Sequence, residues 1–436
     1  MLSNDTKFSV ETFLLPKVRT GLLKITLSVL VLLLLSCAEK PVYRKEVFYP
    51  HVKKPAVIVK LLQTDIPLKI RSTGSFSIKW YSPGDAPSVF YATAEIEVGF
   101  SPGGITVSQN SQGTLQTGLS QVSFIPRSDD QWLYLNGKPY RDVLEIDYIS
   151  DAKPLLVLNV VYVEDYLKGV IPAEIGKLTP TEMEALKAQA IASRTYALFQ
   201  TSQNRDRKYD LEATVMDQTY SGVATEDPLT NRAIQLTRGQ ALTYKGKLIC
   251  SYYSTNCGGR TEYIEKVWDK PPEPYLIPVD DDTFCSWSKH YSWEERWTKD
   301  NLEKNIRAFL DSVCTSPDTK WVNLLDLKIV GRSPSGRVEW LDVVTDEDTF
   351  PIRADKIRWA LRKGNGSHSI LPSTNFDLEI VRGEDNTIKQ VIARGRGNGH
   401  GVGMCQTGAL GMARAGYSYR DILLHYYTGV KITQYY

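Results

Sequence analysis

Apolar residues change their spacing along this chain, and each change marks an element. From Lys45 to about Ser128 they alternate with polar ones. Leu68-Lys-Ile-Arg and Phe76-Ser-Ile-Lys-Trp put apolar groups on one face, as half-buried strands do, and Ala56-Val-Ile-Val-Lys-Leu-Leu reads as another strand. Ser101-Pro102, Gly103-Gly104 and Asn110-Ser111 supply turns between such strands. Residues 131–163 continue in strands, with a hairpin signal at Asn136-Gly137 and a buried strand at Leu155-Leu-Val-Leu-Asn-Val-Val-Tyr-Val. The spacing then becomes helical. Met183, Leu186, Ala190, Ala197 and Leu198 form a stripe, and Thr179, Pro180 and Glu182 give it a cap, a first-turn proline and a capping-box acid. Glu174 is expected in the turn before this helix, behind Pro172, which removes a backbone donor and stiffens the approach.

Further along, the pattern predicts a short helix over Thr230 to Arg238 and a hairpin turning at Lys245-Gly246. A segment at about residues 291–371 carries a helix (Asn301 to Leu310), strands from Leu325 and Val338, and a short helix over Asp355 to Leu361; it reads as an insertion. Glycine falls at 395, 397, 399, 401 and 403. If extended, one face of that run has no side chains and the other carries Arg396, Asn398, His400 and Val402. Met404 to Ala415 then predicts a helix closed by Gly416, and Ser418 to Asp421 can cap a last one. The expected fold class is α+β: a β-rich catalytic body with a long central helix and C-terminal helices, an amino-terminal β region (45–130) and an inserted α/β segment.

The first residues change the picture of where the protein works. Ile25 to Leu35 is an apolar run preceded by Lys17, Arg19 and Lys24, too short to span a bilayer comfortably but suited to a signal peptide. It ends Leu34-Leu35-Ser36-Cys37, which resembles a bacterial lipobox, so residues 1–37 are expected to be an export signal with Cys37 as the lipidated residue and membrane anchor. That leaves Cys250, Cys257, Cys285, Cys314 and Cys405. In an exported protein some of these should pair, and the odd count leaves one over; Cys257 with Cys285 is the first expectation, although spacing does not fix connectivity. A formal net charge of +2 gives no reason to expect nucleic acid as a partner. The 24 Tyr and 9 Trp suit a surface that stacks on sugars, and equally a β-rich exported protein.

Three stretches carry the candidate chemistry. The first is Pro172-Ala-Glu174 with Glu184-Ala-Leu-Lys-Ala-Gln-Ala-Ile-Ala-Ser-Arg-Thr-Tyr-Ala-Leu198. The second is Ser251-Tyr-Tyr-Ser-Thr-Asn-Cys-Gly-Gly-Arg-Thr-Glu262, where paired glycines let a backbone approach a ligand and Ser254, Thr255, Asn256 and Arg260 offer hydrogen bonds to hydroxyls. The third is Gly395-Arg-Gly-Asn-Gly-His-Gly-Val-Gly-Met-Cys-Gln-Thr-Gly-Ala409, which is not a dinucleotide fingerprint because it has no GxxG step. In this order the three resemble the stage II sporulation protein D family, which includes the amidase enhancers, over about Val160 to Lys431. The resemblance implies a catalytic domain over 131–436 and a peptidoglycan lytic transglycosylase with Glu174 as its catalytic acid. It also implies that Lys187, Gln189, Arg194, Ser254, Gly258, His400 and Gln406 line the same cleft.

One acid suffices for that chemistry. A carboxylic acid protonates the leaving oxygen, and the muramic C6 hydroxyl, rather than water, attacks the anomeric carbon, so the second carboxylate of an ordinary glycosidase is not required. Lys187 and Arg194 are seven apart and share a helix face beside the apolar stripe. Close to Glu174 they would lower its pKa, so they are expected to face anionic or acetamido groups of the substrate instead. No cofactor and no metal ligand is expected. Two rivals stand beside this reading: a non-catalytic peptidoglycan module that enhances a partner cell-wall amidase, and a metal or thiol enzyme using Cys250, Cys257, His400 or Cys405. Against the latter, Cys250 and Cys257 are seven apart, which is not a CxxC, and there is no HExxH.

Overall fold

The computed structural model describes residues 53–436 apart from 54, 83–85, 110–112, 151, 314–322, 365–366 and 368. The expected export signal, Cys37, Cys314 and the Asn110-Ser111 turn lie outside these residues. Among the described residues no helix is long and apolar enough to cross a membrane.

Alternation in the first half builds two layers, antiparallel throughout except where the edge strand Leu211–Glu212 runs parallel to Ala56–Thr64. One sheet has seven strands, ordered Leu211–Glu212, Ala56–Thr64, Leu155–Tyr162, Val143–Tyr148, Gln121–Pro126, Phe76–Tyr81 and Ser88–Ala92. The other has six, ordered Lys138–Tyr140, Leu133–Leu135, Leu68–Ser72, Ile96–Ser101, Gly104–Gln109 and Gly113–Leu119. Val57, Val59, Phe76 and Ile78 from the first share one core with Leu68, Ile70, Ile96 and Val98 from the second. Leu155–Tyr162 is buried along its whole length, as an apolar run requires, with its one polar residue, Asn159, donating to the Arg141 and Val143 carbonyls. Both expected hairpin turns are present: Asn136-Gly137 and Lys245-Gly246 each have positive φ at both residues, the geometry of a type I′ turn.

Among the described residues eight helices follow: α1 (Val163–Ile175), α2 (Met183–Gln203), α3 (Pro228–Leu236), α4 (Asp282–Cys285), α5 (Lys299–Val313), α6 (Lys356–Ala360), α7 (Gln406–Arg414) and α8 (Tyr419–Tyr426). α1 departs from expectation. Glu174 is not in a turn but in the last helical turn, because Pro172 lies so near the end that little helix follows it, and Gly176 (φ 81°) stops the chain. α2 is the central helix. Thr179 N–H donates to the Glu182 carboxylate at 2.8 Å, and Pro180–Glu182 forms a 3₁₀ turn into it. α2 packs on α1, α3, α7 and α8, so its interior residues are buried nearly all round.

Two contacts fix α1. Arg194 on α2 is fully buried and gives Glu164 on α1 two parallel hydrogen bonds, at 2.8 and 2.7 Å. At Gly169 a Cβ would sit 2.5 Å from the Gly222 carbonyl oxygen and 2.7 Å from the Tyr220 ring. The absence of a side chain therefore lets the segment Thr219–Gly222 lie directly on α1.

A third core lies in the last third of the chain. Trp297, Leu302, Ile306, Leu341, Val343, Ile352, Ile357, Phe376 and Val391 cluster apart from the residues around α2. It includes the strands Phe376–Arg382 and Ile388–Arg396, so it extends beyond the segment that the apolar pattern marks as an insertion.

Gly169→Ala should reduce unfolding free energy by about 1–3 kcal/mol, since the new methyl meets backbone that has no free rotor to yield; urea unfolding measures it. Arg194→Ala should cost about 3–5 kcal/mol because it strands a buried carboxylate. Lys187→Ala, which removes a partly exposed pair with Glu184, should cost no more than about 1 kcal/mol.

Candidate functional site

The glycine-alternating run is not extended. Gly397, Gly399, Gly401 and Gly403 have φ of 82°, 110°, 81° and 72°, so the chain winds through a conformation that side chains oppose. It winds against the second motif: a Cβ on Gly399 would stand 2.6 Å from Ser254 Cβ, and one on Gly403 would stand 2.1 Å from the Tyr252 carbonyl oxygen. Backbone bonds hold the two segments together, with Asn256 N–H donating to the Asn398 carbonyl at 2.9 Å and Asn398 N–H returning to that of Asn256 at 2.8 Å. A bare backbone of this kind can admit another backbone or a flat ligand, and here it admits another part of this chain.

That contact forms one side of a groove of about 1410 Å³. Its wall on the α2 side holds Glu174, Tyr196, Tyr252, Tyr253, Ser254, Thr255, Trp268 and His400, and its other wall comes from the segment that carries the third core, including Trp340, Arg353 and Trp359. Val215 and Met216, 82% and 66% exposed, stand at its edge. The groove is larger than the usual small-molecule pocket of roughly 300–1,000 Å³ and suits a longer, partly aromatic-stacked ligand.

Glu174 enters this groove from the end of α1. The Thr219 N–H donates to its Oε1 at 2.5 Å, a bond that depends on the close packing at Gly169. Burial raises its pKa above the ordinary carboxylate value, against a smaller opposing effect of the Thr219 hydrogen bonds. The other acids of the wall differ. Asp217 accepts from Tyr196 Oη at 2.9 Å and from Glu212 N–H at 2.8 Å, Asp355 pairs with Arg358 at 2.9 Å, and Asp269 is exposed.

The expected cations are not beside Glu174. Arg194 gives all its hydrogen bonds to Glu164 and to the carbonyls of Ala190, Ile234 and Gln240; Lys187 pairs with Glu184 at 2.6 Å and lies over the Tyr419 ring. Neither lines the groove, so neither faces a substrate there, and the conflict with a raised Glu174 pKa disappears. Gln189 and Gln406 are buried behind the wall. Gln406 Nε2 donates to Gln189 Oε1 at 3.4 Å, Gln189 Nε2 to Ser193 Oγ at 2.9 Å, and Ser193 Oγ to Tyr253 Oη at 3.3 Å. Tyr253 Oη also accepts from Gln218 Nε2 at 2.8 Å, and Gln218 in turn accepts from Tyr166 Oη at 3.1 Å. These glutamines hold Tyr253 rather than a ligand. Gly258 lies in a separate depression with Trp293 and Arg394.

Ser254 and His400 do reach the groove, but their polar atoms are committed. Ser254 Oγ accepts from Gly401 N–H at 3.2 Å. His400 Nδ1 accepts from Val402 N–H at 3.0 Å, so Nε2 carries the proton and donates to the Tyr253 carbonyl at 3.0 Å. Burial pushes its pKa down to about 4, so the ring is neutral at ordinary pH. Its ring lies 4.8 Å from that of Trp268.

Sequence reasoning did not find the Thr219 donor, the Tyr252–Trp268 wall or the far wall. A backbone donor leaves no mark on residue type, and a wall assembled from distant segments has no spacing. Among the described residues, the group of side chains that could hold a metal, Cys257, Asp281, Cys285 and Cys405, is buried and lines no part of this groove. The expected Cys257–Cys285 disulfide is not formed, since the sulfurs are 3.7 Å apart.

Residues 151–244 match the family model described as stage II sporulation protein, and residues 285–403 match that of a domain of unknown function. The chain is 34% identical to an uncharacterized protein of Brachyspira hyodysenteriae, over 69% of this chain and 74% of that one. It is 31% identical to the amidase enhancer of Bacillus subtilis, over 62% of this chain but only 40% of the relative's length. It is 30% identical to stage II sporulation protein D of Bacillus amyloliquefaciens, over 62% of this chain and 74% of that one. With its three motifs assembled around a single groove and these similarities in sequence, the chain belongs to the stage II sporulation protein D and amidase-enhancer family.

Proposed function

We propose that this protein remodels the cell wall as an exported lytic transglycosylase, cleaving peptidoglycan glycan strands next to N-acetylmuramic acid with Glu174 as general acid and base. The observation that carries the reading is the position of Glu174: a carboxyl group in a long aromatic-walled groove, paired with no lysine or arginine among the described residues, its pKa raised by burial. Protonated Glu174 gives its proton to the glycosidic oxygen as the C1–O bond breaks. The C6 hydroxyl of the same muramic residue closes on C1, and the Glu174 carboxylate takes that hydroxyl's proton. The acid is regenerated, no water is consumed, and the product is an anhydro sugar. The Thr219 N–H holds one carboxylate oxygen in place, and Trp268, Tyr252 and Trp359 offer faces to sugar rings.

A second reading is favoured by the similarity to an amidase enhancer: the groove binds glycan without cutting it and raises the rate of a partner amidase. Product mass separates the two. Release of anhydro-muropeptides, lighter by one water than hydrolysed ones, supports cleavage; no release together with a faster partner amidase supports the enhancer.

Glu174→Gln should reduce product formation by at least about 10²-fold. Its fold should be unharmed, because the amide oxygen can still accept from Thr219. With the folded pKa of Glu174 above its unfolded value, the native state binds the proton more tightly. Stability from this group is therefore lost as pH rises from the unfolded value, roughly 4.3, through the folded one. The variant should thus melt at or above the wild-type temperature at neutral pH and show no gain below about pH 4. For the wild type, the alkaline limb of the rate profile should lie above the ordinary glutamate value, since activity needs the protonated acid; a limb at the ordinary value would remove Glu174 from the role.

A further inference from the structure

A second depression, of about 900 Å³, opens further along the same two motifs that wall the groove, with Gly258, Trp293, Asn375 and Arg396 in its lining. Thr255 lines the groove and Gly258 the depression; Gly399 lines the groove and Arg396 the depression. Each pair is three residues apart, which extended chain spans in at most about 11 Å. The two sites are therefore neighbours along both segments.

The depression has an aromatic side chain fixed in place. Trp293 on the strand Ser292–Thr298 and Phe376 on the strand Phe376–Arg382 both lie opposite Gly395, on the strand Ile388–Arg396 between them. A Cβ on Gly395 would stand 2.3 Å from Trp293 Cζ2, so the missing side chain lets the indole fold over the strand. Trp293 Nε1–H donates to Ser373 Oγ at 3.3 Å, and Ser373 Oγ donates to the Arg396 carbonyl at 2.6 Å. The ring is held in one orientation yet is only half-buried. A ring ordered in advance loses little freedom when a ligand covers it.

The charged groups nearby are mostly committed. Arg394 is held between Glu294 at 2.7 Å and Glu379 at 2.6 Å, Arg260 pairs with Asp280 at 2.6 Å, and Asp377 pairs with Arg332 at 2.6 Å. Arg396 is exposed and, among the described residues, pairs with no carboxylate; its guanidinium lies 5.7 Å from the centre of the Tyr291 ring. The side-chain amide of Asn375 has no partner among those residues either. A fixed indole, a spare guanidinium and a spare amide suit a sugar that carries a carboxylate: they offer stacking, a charge-assisted bond, and a group that both donates and accepts.

We propose, resting on the reading of the groove as a peptidoglycan site, that this depression is a second glycan site in which a muramic residue stacks on Trp293 and places a carboxylate at Arg396. The carboxylate is that of the lactyl group where the peptide has been removed, or of the peptide where it remains. Holding the wall polymer at two points raises the effective concentration of glycan at the groove.

The test is calorimetric titration of the full chain as Glu174→Gln, which prevents turnover, with a muramic-containing tetrasaccharide. Two sites per chain are expected. Arg396→Gln should weaken one of them by roughly 10-fold and leave the other, and Trp293→Ala should remove the same one. A chitin oligosaccharide of equal length, which has no carboxylate, should bind that site roughly 10-fold more weakly than the muramic fragment. Preference for the peptide-free fragment assigns the lactyl carboxylate, and preference for the peptide-bearing one assigns the peptide's; either supports the site. A single site per chain, unchanged by Arg396→Gln, overturns the proposal, as does equal binding of chitin and muramic fragments at the Trp293-dependent site. Arg396→Gln changes only an exposed side chain, so it decides the matter even if Trp293→Ala protein fails to fold. Loss of the second site alone leaves the groove reading standing, whereas binding of no fragment at either site overturns both.

Discussion

The buried pair between Arg194 and Glu164 sets the geometry on which the groove depends. It joins α1, which carries the acid, to α2, which the remaining elements pack around. Glu164 also accepts from Gly239 N–H at 3.2 Å and from the hydroxyl of Tyr436, so residues from four parts of the chain meet at one carboxylate. A pair of this kind adds little net stability compared with apolar packing, but it tolerates few alternative arrangements. That is the property an acid at the end of a helix needs: a rotation of α1 would move Glu174 out of the groove and away from the Thr219 N–H.

The aromatic wall is held in a related way. The hydrogen-bond chain from Gln406 through Gln189 and Ser193 to Tyr253 runs through the interior, with Gln218 and Tyr166 completing it from the other side. Buried polar groups without partners are costly, so each member constrains the next. The result is a surface whose side chains are fixed from the protein side, leaving their ring faces for a ligand.

Much of the fold was readable from residue order. Period-two alternation marked the strands of both layers, and Asn136-Gly137 within them and Lys245-Gly246 in a separate small sheet marked turns because only certain residues accept positive φ. α1 was missed because Gly169 and Pro172 argue against a helix locally; both are tolerated for tertiary reasons, one by the approach of Gly222 and the other by its place in the last turn. The sequence picked out Glu174, which the fold places in the groove, but not what surrounds it there. Arg194, Lys187, Gln189 and Gln406 stand in motifs, and a motif does not distinguish a residue that touches a ligand from one that holds the residue that does. The glycine run misled in the opposite way: alternate glycines suggested a bare strand, whereas the missing side chains are required by backbone packing within the molecule. Asp281 and Cys285 are four apart, one turn of helix, yet their meeting with Cys257 and Cys405 needed the fold.

The far wall of the groove belongs to a segment with a hydrophobic core of its own. Residues such as Trp340, Arg353 and Trp359 can therefore be exchanged, or the strands beneath them lengthened, without disturbing the helix that presents the acid. Two structural tasks are divided between two bodies of the same chain: one holds the buried carboxyl in register, and the other sets the width of the groove in front of it.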